Sequence, residues 1–328
     1  MISGYIGVTI WNVIFLTYSS VCIGIKFIAG GDEVERFTAA VLQLAPIHMN
    51  PDANIDKAEK MIGACVEMCG ARLIVLPESF TTGFTPKGTR ADLWNVVSEI
   101  PGRLTDRGIE IAKKHNVYLV FPTYERGPGG IVYNSAALLG PEGLLGVYRK
   151  THPFPTERLT DAGGWTTPGT EPCCIDTPIG KIGMVVCYDG DFPELARVTA
   201  LMGAEIIARP SVLMRTSDHW EFTNRARAYD NHVYWIATNC VGLDASGTYC
   251  FGDSMIVGPT GVRMAQCRGS EEFAWAELDP DPLKTIHPNI SVAQIFDHME
   301  DRNLEAYKTI LTAGKSAFEP AQRIPYRR

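Results

Sequence analysis

The sequence lacks the side-chain patterns typical of metal centres and nucleic-acid-binding proteins. Its nine cysteines form no C-x-x-C pair and its seven histidines show no H-x-x-x-H spacing, so we expect neither a metal nor a cofactor. No basic run occurs and the formal net charge is −7, which argues against a nucleic-acid partner. The odd number of cysteines gives no disulfide framework, which favours a reducing compartment, and we expect a cytoplasmic protein.

The first 25 residues contain no charged side chain, and the first charge is Lys26. The stretch 2–25 is long enough to cross a bilayer, but it holds polar side chains and lacks a basic flank or a clear cleavage site. We therefore assign 1–35 as an apolar leader, 36–315 as the domain and 316–328 as a C-terminal tail. Membrane anchoring by residues 2–25 is less favoured than a non-native or misassigned leader or a segment that packs elsewhere.

After this leader, short apolar runs alternate with amphipathic segments. The chain has 328 residues, of which 45% are hydrophobic and 20% charged, as in ordinary globular proteins. Pro51 and Gly70 bound a segment with one apolar face, which predicts a helix, and a final helix-like segment is expected at 300–313. The alternation predicts a single α/β domain, with no internal repeat or flexible linker.

Three predicted strands each end at a residue that can carry chemistry. The apolar run Ile182–Val186 stops at Cys187, before a segment whose Pro193 suits a first helical turn. Such a strand-to-helix elbow can expose a nucleophile and present backbone N–H groups to an oxyanion. Glu78 follows the run 73–76, and Lys150 follows the run 144–148.

These three residue types fit one reaction. A thiolate can attack an amide or nitrile carbon, a carboxylate can take the thiol proton and return it to a leaving amine, and an ammonium can stabilise the oxyanion. Since strand ends can converge at one edge of an α/β fold, Glu78, Lys150 and Cys187 form a plausible triad. We also expect Lys150 to lower the pKa of the Cys187 thiol.

The segments around these residues resemble, in order and spacing, the three signatures of the nitrilase superfamily of carbon–nitrogen hydrolases. The matching segments are Leu76-Pro-Glu78-Ser-Phe80, Tyr148-Arg-Lys150-Thr-His152 and Val186-Cys187-Tyr-Asp-Gly-Asp-Phe-Pro-Glu194. The resemblance covers roughly residues 37 to 315. It implies an α-β-β-α sandwich, a Glu78-Lys150-Cys187 triad and a homodimer or larger homo-oligomer.

The resemblance also implies two further site residues. Glu157 corresponds most closely to a second family glutamate that helps to position substrate and proton, and the backbone N–H of Tyr188 to the first oxyanion donor. The segment 224–231 looks like the family's Arg-Ala-x-Glu-Asn stretch, with Asp230 in place of glutamate, and we interpret it as structural or interface-forming.

The residues after the cysteine favour an amide over a nitrile. Nitrile-accepting members resemble Cys-Trp-Glu, whereas this chain has Cys187-Tyr-Asp-Gly, which looks most like aliphatic amidases and formamidases. We expect hydrolysis of a small linear amide through a thioester. The loop after Lys150 looks closer to general amidases and carbamoylases, so an N-carbamoyl amino acid or amine is the alternative, with Arg158 and Arg215 as candidates for a substrate carboxylate. A non-catalytic scaffold and a membrane-attached acyltransferase are weaker alternatives.

Overall fold

The computed structural model describes residues 36–84, 89–158, 166–245, 247–279, 297–314 and 317. The proposed leader at 1–35 and nearly all of the tail at 316–328 lie outside these residues, so the domain boundaries stay a prediction. No helix in the described part of the chain is long and apolar enough to cross a membrane.

Strands and helices alternate through the described residues. The strands are β1 Phe37–Gln43, β2 Leu73–Val75, β3 Tyr118–Arg126, β4 Val132–Gly140, β5 Gly143–Arg149, β6 Cys174–Thr177, β7 Gly180–Met184, β8 Ile206–Ser211, β9 Tyr234–Asn239, β10 Val241–Leu243, β11 Tyr249–Phe251, β12 Met255–Val257, β13 Arg263–Gln266 and β14 Glu272–Leu278. The α-helices are α1 Pro51–Cys69, α2 Arg90–Val96, α3 Arg103–His115, α4 Pro155–Arg158, α5 Pro193–Leu201 and α6 Ser217–Asn231. Short 3-10 turns cover Pro128–Gly130, Cys187–Asp191 and Leu304–Tyr307.

Two six-stranded sheets organise the molecule, with strand orders β14-β1-β2-β3-β4-β5 and β13-β12-β9-β8-β7-β6. Three adjacent strands in the middle of each sheet are parallel, β1-β2-β3 in the first and β7-β8-β9 in the second. The strands that flank them are antiparallel. Parallel central strands place several carboxyl ends at one edge of each sheet, where reactive side chains can gather.

Alternating side chains divide the core into layers. Val41 lies in an apolar layer with Met184 and Ile236, between the two sheets. Its neighbour Leu42 faces the opposite way and packs with residues of α1 and α3. A third layer, which includes Trp220 of α6, covers the outside of the second sheet. The expected single-domain α-β-β-α sandwich is therefore confirmed.

The predicted helix between Pro51 and Gly70 is confirmed, since Gly70 has a left-handed φ of 65° and donates to the carbonyl of Val66. The prediction of a final helix-like segment at 300–313 is wrong, because only the 3-10 turn Leu304–Tyr307 forms there. Its apolar side chains, including Leu311 at 94% exposure, do not pack on the described core. Without such packing an isolated short helix gains too little to form.

Ile236 should be a major contributor to stability because it is fully buried in the layer between the sheets. We expect Ile236→Ala to lower the free energy of unfolding by about 2–5 kcal/mol, through lost burial and an unfilled cavity. Urea unfolding would measure it. The matched substitution Ile310→Ala, at a side chain with 59% exposure, should change stability far less; equal losses at both sites would contradict this packing.

Candidate active site

Cys187 lies on a sharp elbow between β7 and α5. Its φ of 50° is in the left-handed region, which is uncommon for a residue with a side chain, and it begins the 3-10 turn that precedes Pro193. The thiol is 4% exposed and contacts the carbonyl oxygen of Val212, at an Sγ–O distance of 3.7 Å. This geometry matches the strand-to-helix elbow expected from the sequence.

Lys150 lies between two buried carboxylates. Its Nζ donates to Oε1 of Glu78 and to Oε2 of Glu157, both at 2.7 Å. All three side chains are at most 1% exposed. Glu78 comes from the loop after β2, Lys150 directly follows β5 and Glu157 belongs to α4, so three separate elements meet here.

Further donors fix the orientation of both carboxylates. Asn134, in the middle of β4, donates through Nδ2 to Oε1 of Glu78 at 2.7 Å and to Oε1 of Glu157 at 2.9 Å. The backbone N–H of Val212 donates to the other oxygen of Glu78, at 2.8 Å. The backbone N–H of Phe154 donates to Oε2 of Glu157, at 2.7 Å. With so many fixed donors, neither carboxylate can rotate without losing charge-assisted hydrogen bonds.

Burial and neighbouring charges set the protonation of this cluster. Burial raises the pKa of Glu78, against the opposing effect of Lys150, and the charge of Glu157 adds to the rise. Burial alone would lower the pKa of Lys150, but Glu157 and Glu78 outweigh it and hold that pKa well above the ordinary value. The ammonium therefore stays charged, while Glu78 is a stronger base than a solvated glutamate.

Lys150 acts to lower the pKa of the Cys187 thiol, as expected. Its effect is outweighed by burial and by the nearby charge of Glu78, which raise that pKa well above its usual value. The resting nucleophile is therefore a neutral thiol. It needs a base to form the thiolate, and Glu78 is close enough for its charge to raise the pKa of the thiol.

A cleft opens at Cys187. Its described lining is mostly apolar and consists of Phe154, Cys187, Tyr188, Val212, Leu213, Met214 and Arg215. Phe154 and Tyr188 meet edge to face, with ring centroids 5.4 Å apart. The cleft therefore presents a mostly apolar surface next to the thiol.

Asp189, two residues after the cysteine, joins the elbow to the loop after β5. It is fully buried, and its carboxylate accepts from the hydroxyl of Tyr148 at 2.7 Å and from the backbone N–H of Val186 at 2.9 Å. It also accepts from the backbone N–H of His152 at 2.9 Å. Burial alone would raise the pKa of Asp189, but the interactions with His152, Tyr148 and Val186 hold it below the ordinary value of 3.8.

Arg209 stabilises the elbow through a hydrogen bond to its backbone. It is fully buried in β8, and its Nε donates to the carbonyl oxygen of Cys187 at 2.9 Å, while Nη1 donates to Oδ1 of Asn224 at 2.7 Å. Gly190 is required here because a Cβ at that position would lie 2.2 Å from the Arg209 guanidinium carbon. Asn224 and Arg227, which donates to the carbonyl of Gly190, are structural within the chain, as the sequence interpretation of 224–231 allowed.

The structure brings Glu78, Lys150, Cys187 and Glu157 together, as predicted, and places the backbone of Tyr188 directly beside the thiol. Of the two arginines considered for a substrate carboxylate, Arg215 borders the cleft. The side chain of Arg158 is outside the described residues, so its assignment stays untested.

Sequence reasoning missed the roles of Asp189, Asn134 and Arg209. Asp189 stands inside the elbow motif, where it served only to distinguish family branches. Asn134 and Arg209 are polar side chains within otherwise apolar strands, and each is fully or almost fully buried. A polar residue inside a predicted core strand was the available signal, because such a group has to find a partner.

Comparisons with known proteins place this geometry in context. The model of the carbon–nitrogen hydrolase family matches residues 38–287. A nitrilase of Pyrococcus abyssi is 34% identical over 82% of this chain and 98% of the relative, and an omega-amidase NIT2 of Danio rerio is 31% identical over 80% and 95%. A carbon–nitrogen hydrolase structure from Helicobacter pylori superposes with a TM-score of 0.74 at 26% identity, covering 86% of this chain and 100% of that one.

Asp189 should stabilise the folded protein only when it is ionised. Because its pKa is lowered on folding, its contribution is present above about pH 4 and is lost as the pH falls through the folded-state pKa. We expect Asp189→Asn to cost about 3 kcal/mol of unfolding free energy at pH 7, the scale for breaking a buried charge network. The difference from the parent should shrink towards pH 3.

Denaturant unfolding between pH 7 and pH 3 would measure this difference. Asp176→Asn is the matched control, because that side chain is 83% exposed in its ion pair with Lys181 and should contribute little at any pH. A pH-independent cost at Asp189 would show that its charge is not the stabilising feature.

Proposed function

Because the chain belongs to the carbon–nitrogen hydrolase family, which acts on carbon–nitrogen bonds outside peptides, we propose that it hydrolyses a small linear amide to a carboxylate and ammonia. The observation that carries this proposal is the contact of Glu78 and Glu157 with Lys150 beside the Cys187 elbow. The set contains a base, a cation and a nucleophile in one buried site.

The proposed reaction begins with proton transfer. Glu78, whose pKa is raised and whose charge acts on the nearby thiol, takes the proton of Cys187 as the sulfur adds to the amide carbon. The carbonyl oxygen becomes an oxyanion next to Lys150 and the backbone N–H of Tyr188. Each such fixed donor is typically worth about 10²–10³ in rate.

The second half of the reaction releases ammonia and then the acid. Glu78 returns its proton to the amide nitrogen, the carbon–nitrogen bond breaks, and a thioester remains on Cys187. Water then adds to the thioester carbon as Glu78 accepts a proton, and collapse of the second oxyanion frees the carboxylate and the thiol. In this scheme Glu157 keeps Lys150 in place and charged.

The lining of the cleft favours a substrate whose acyl group is uncharged. Its walls are formed largely by Phe154, Tyr188 and Met214, and its arginine, Arg215, is already paired with Asp191 at 2.6 Å. A carbamoyl amino acid or an amide at the end of an acid chain, as the omega-amidase relatives suggest, would need a free cation at this place. The complete catalytic set also argues against a non-catalytic scaffold. The described lining residues of the cleft give no specific support for acyl transfer to an acceptor other than water.

The exposed apolar face of α5 and α6 supports a homo-oligomer, which we propose to be a dimer. The exposed side chains on these helices and just beyond α5 are Val198, Leu201, Met202, Phe222 and Tyr229. Apolar side chains of this size grouped on neighbouring helices are typical of a surface that a second copy covers.

Ammonia release from formamide, acetamide, propionamide, an ω-amido acid, an N-carbamoyl amino acid and a nitrile would test the proposed reaction. We expect turnover of the simple amides, and Cys187→Ala should reduce it at least about 10³-fold because the nucleophile is lost. Cys65→Ala, at a buried cysteine of α1, should keep the activity. Activity that survives in Cys187→Ala would overturn the mechanism, and turnover of carbamoyl compounds alone would favour the alternative.

Light scattering on the purified chain would test the proposed dimer. We expect about twice the 36.0 kDa chain mass, and Phe222→Glu should shift the population to monomer because it places a charge on the apolar face. Met68→Glu is the matched control, as Met68 is 64% exposed on α1, a helix of the other outer layer. A monomeric parent would contradict the proposal.

A further inference from the structure

The cleft at Cys187 carries an ion pair that the proposed reaction does not use. Nη2 of Arg215 is 2.6 Å from Oδ2 of Asp191, and the two side chains are 37% and 20% exposed. Arg215 lines the cleft together with Cys187, and its guanidinium lies over the ring of Tyr188, 5.9 Å from the centroid. A charged pair is therefore part of the surface that an entering acyl group meets.

Asp191 is held firmly in this position. It is the last residue of the 3-10 turn that starts at Cys187. Its second carboxylate oxygen accepts from Arg209 at 3.4 Å, and its backbone carbonyl accepts from Arg227 at 3.3 Å. The elbow therefore fixes Asp191, whereas Arg215 comes from the loop between β8 and α6.

The charges beneath the cleft make this pair important. The cluster around Lys150 contains two carboxylates, Glu78 and Glu157, against one ammonium, so this cluster by itself has a surplus of negative charge. A substrate carboxylate would be repelled unless a cation compensated it. Among the described lining residues of this cleft, Arg215 supplies such a cation, and it is already paired with Asp191.

We propose that the Asp191–Arg215 pair is a charge filter that makes the cleft select uncharged acyl groups. Asp191 is the specificity-determining residue, since it withholds Arg215 from any carboxylate on the substrate. The proposal rests on the proposed function, because it takes Cys187 as the reacting group of this cleft. It adds two points to that function: the class of substrate that the cleft accepts, and the residue that enforces this selection.

Alkylation of Cys187 by iodoacetamide and by iodoacetate can test the filter without any hydrolysis. The two reagents react alike: sulfur displaces iodide, a carbon–sulfur bond forms and the thiol proton passes to Glu78 or to solvent. They differ mainly in that iodoacetate carries a carboxylate. The ratio of the two rates at Cys187, followed by peptide mass spectrometry, therefore measures charge selection in the cleft.

The filter predicts opposite changes for the two partners. Asp191→Asn should raise the rate of iodoacetate relative to iodoacetamide about tenfold, because it frees the charge of Arg215 at short range. Arg215→Gln should lower that ratio, since it removes a positive charge from the cleft, and the double variant should return close to the parent. Both shifts should shrink in high salt, because the pair is partly exposed. A merely structural role for either residue would not give this reversal.

Glu59→Gln is the matched control, as it removes one negative charge from the surface ion pair with Lys114 on the opposite layer and should leave the ratio unchanged. An unchanged ratio in Asp191→Asn, or shifts of the same sign in both single variants, would overturn the filter. So would the absence of alkylation by either reagent, since a cleft that admits neither cannot select between them. If the variants change the rate ratio as predicted but the parent releases no ammonia from any amide, the proposed function is contradicted and the charge filter is retained.

Discussion

A fully buried ammonium between two buried carboxylates is the interaction on which this structure depends. Lys150 holds Glu78 and Glu157 at 2.7 Å each, and removal of any one of the three would leave uncompensated charge in a dry interior. The three come from a loop, a strand end and a short helix, so the cluster also fixes how these elements meet. Its cost in desolvation is offset by the additional donors from Asn134 and the backbone.

Two other buried ionic side chains attach the nucleophile to this cluster. Asp189 connects the turn after Cys187 to Tyr148 and His152, which flank Lys150 in the chain. Arg209 holds the carbonyl oxygen of Cys187 from the neighbouring strand. The left-handed backbone at Cys187 is therefore supported from both sides, which explains how a strained residue keeps a fixed position. The same turn ends at Asp191, so catalytic geometry and the charge of the cleft are set by one short segment.

Most of the fold and the central site residues were predictable because they depend on local pattern. Apolar runs and helical periodicity predicted the strands and helices, and three motifs at strand ends predicted Glu78, Lys150 and Cys187 as site residues. The segment at 300–313 was predicted wrongly because its helical spacing has no core to pack against. The net pKa of Cys187 was not predictable: the sequence shows a lysine whose effect on that pKa has the expected direction, but it does not show the burial that outweighs this effect.

The sequence by itself determined the alternation of strands and helices, the residue types of the catalytic set and the family, since all of these depend on the local order and spacing of residues. Only the tertiary structure decided which buried polar groups pair with one another. Asn134 contacts both glutamates, Arg209 contacts Cys187, and Asp191 contacts Arg215. Each of these contacts joins residues that lie far apart in the chain. The physical reason is that pairing of charges follows from distance and burial in three dimensions, and local spacing fixes neither.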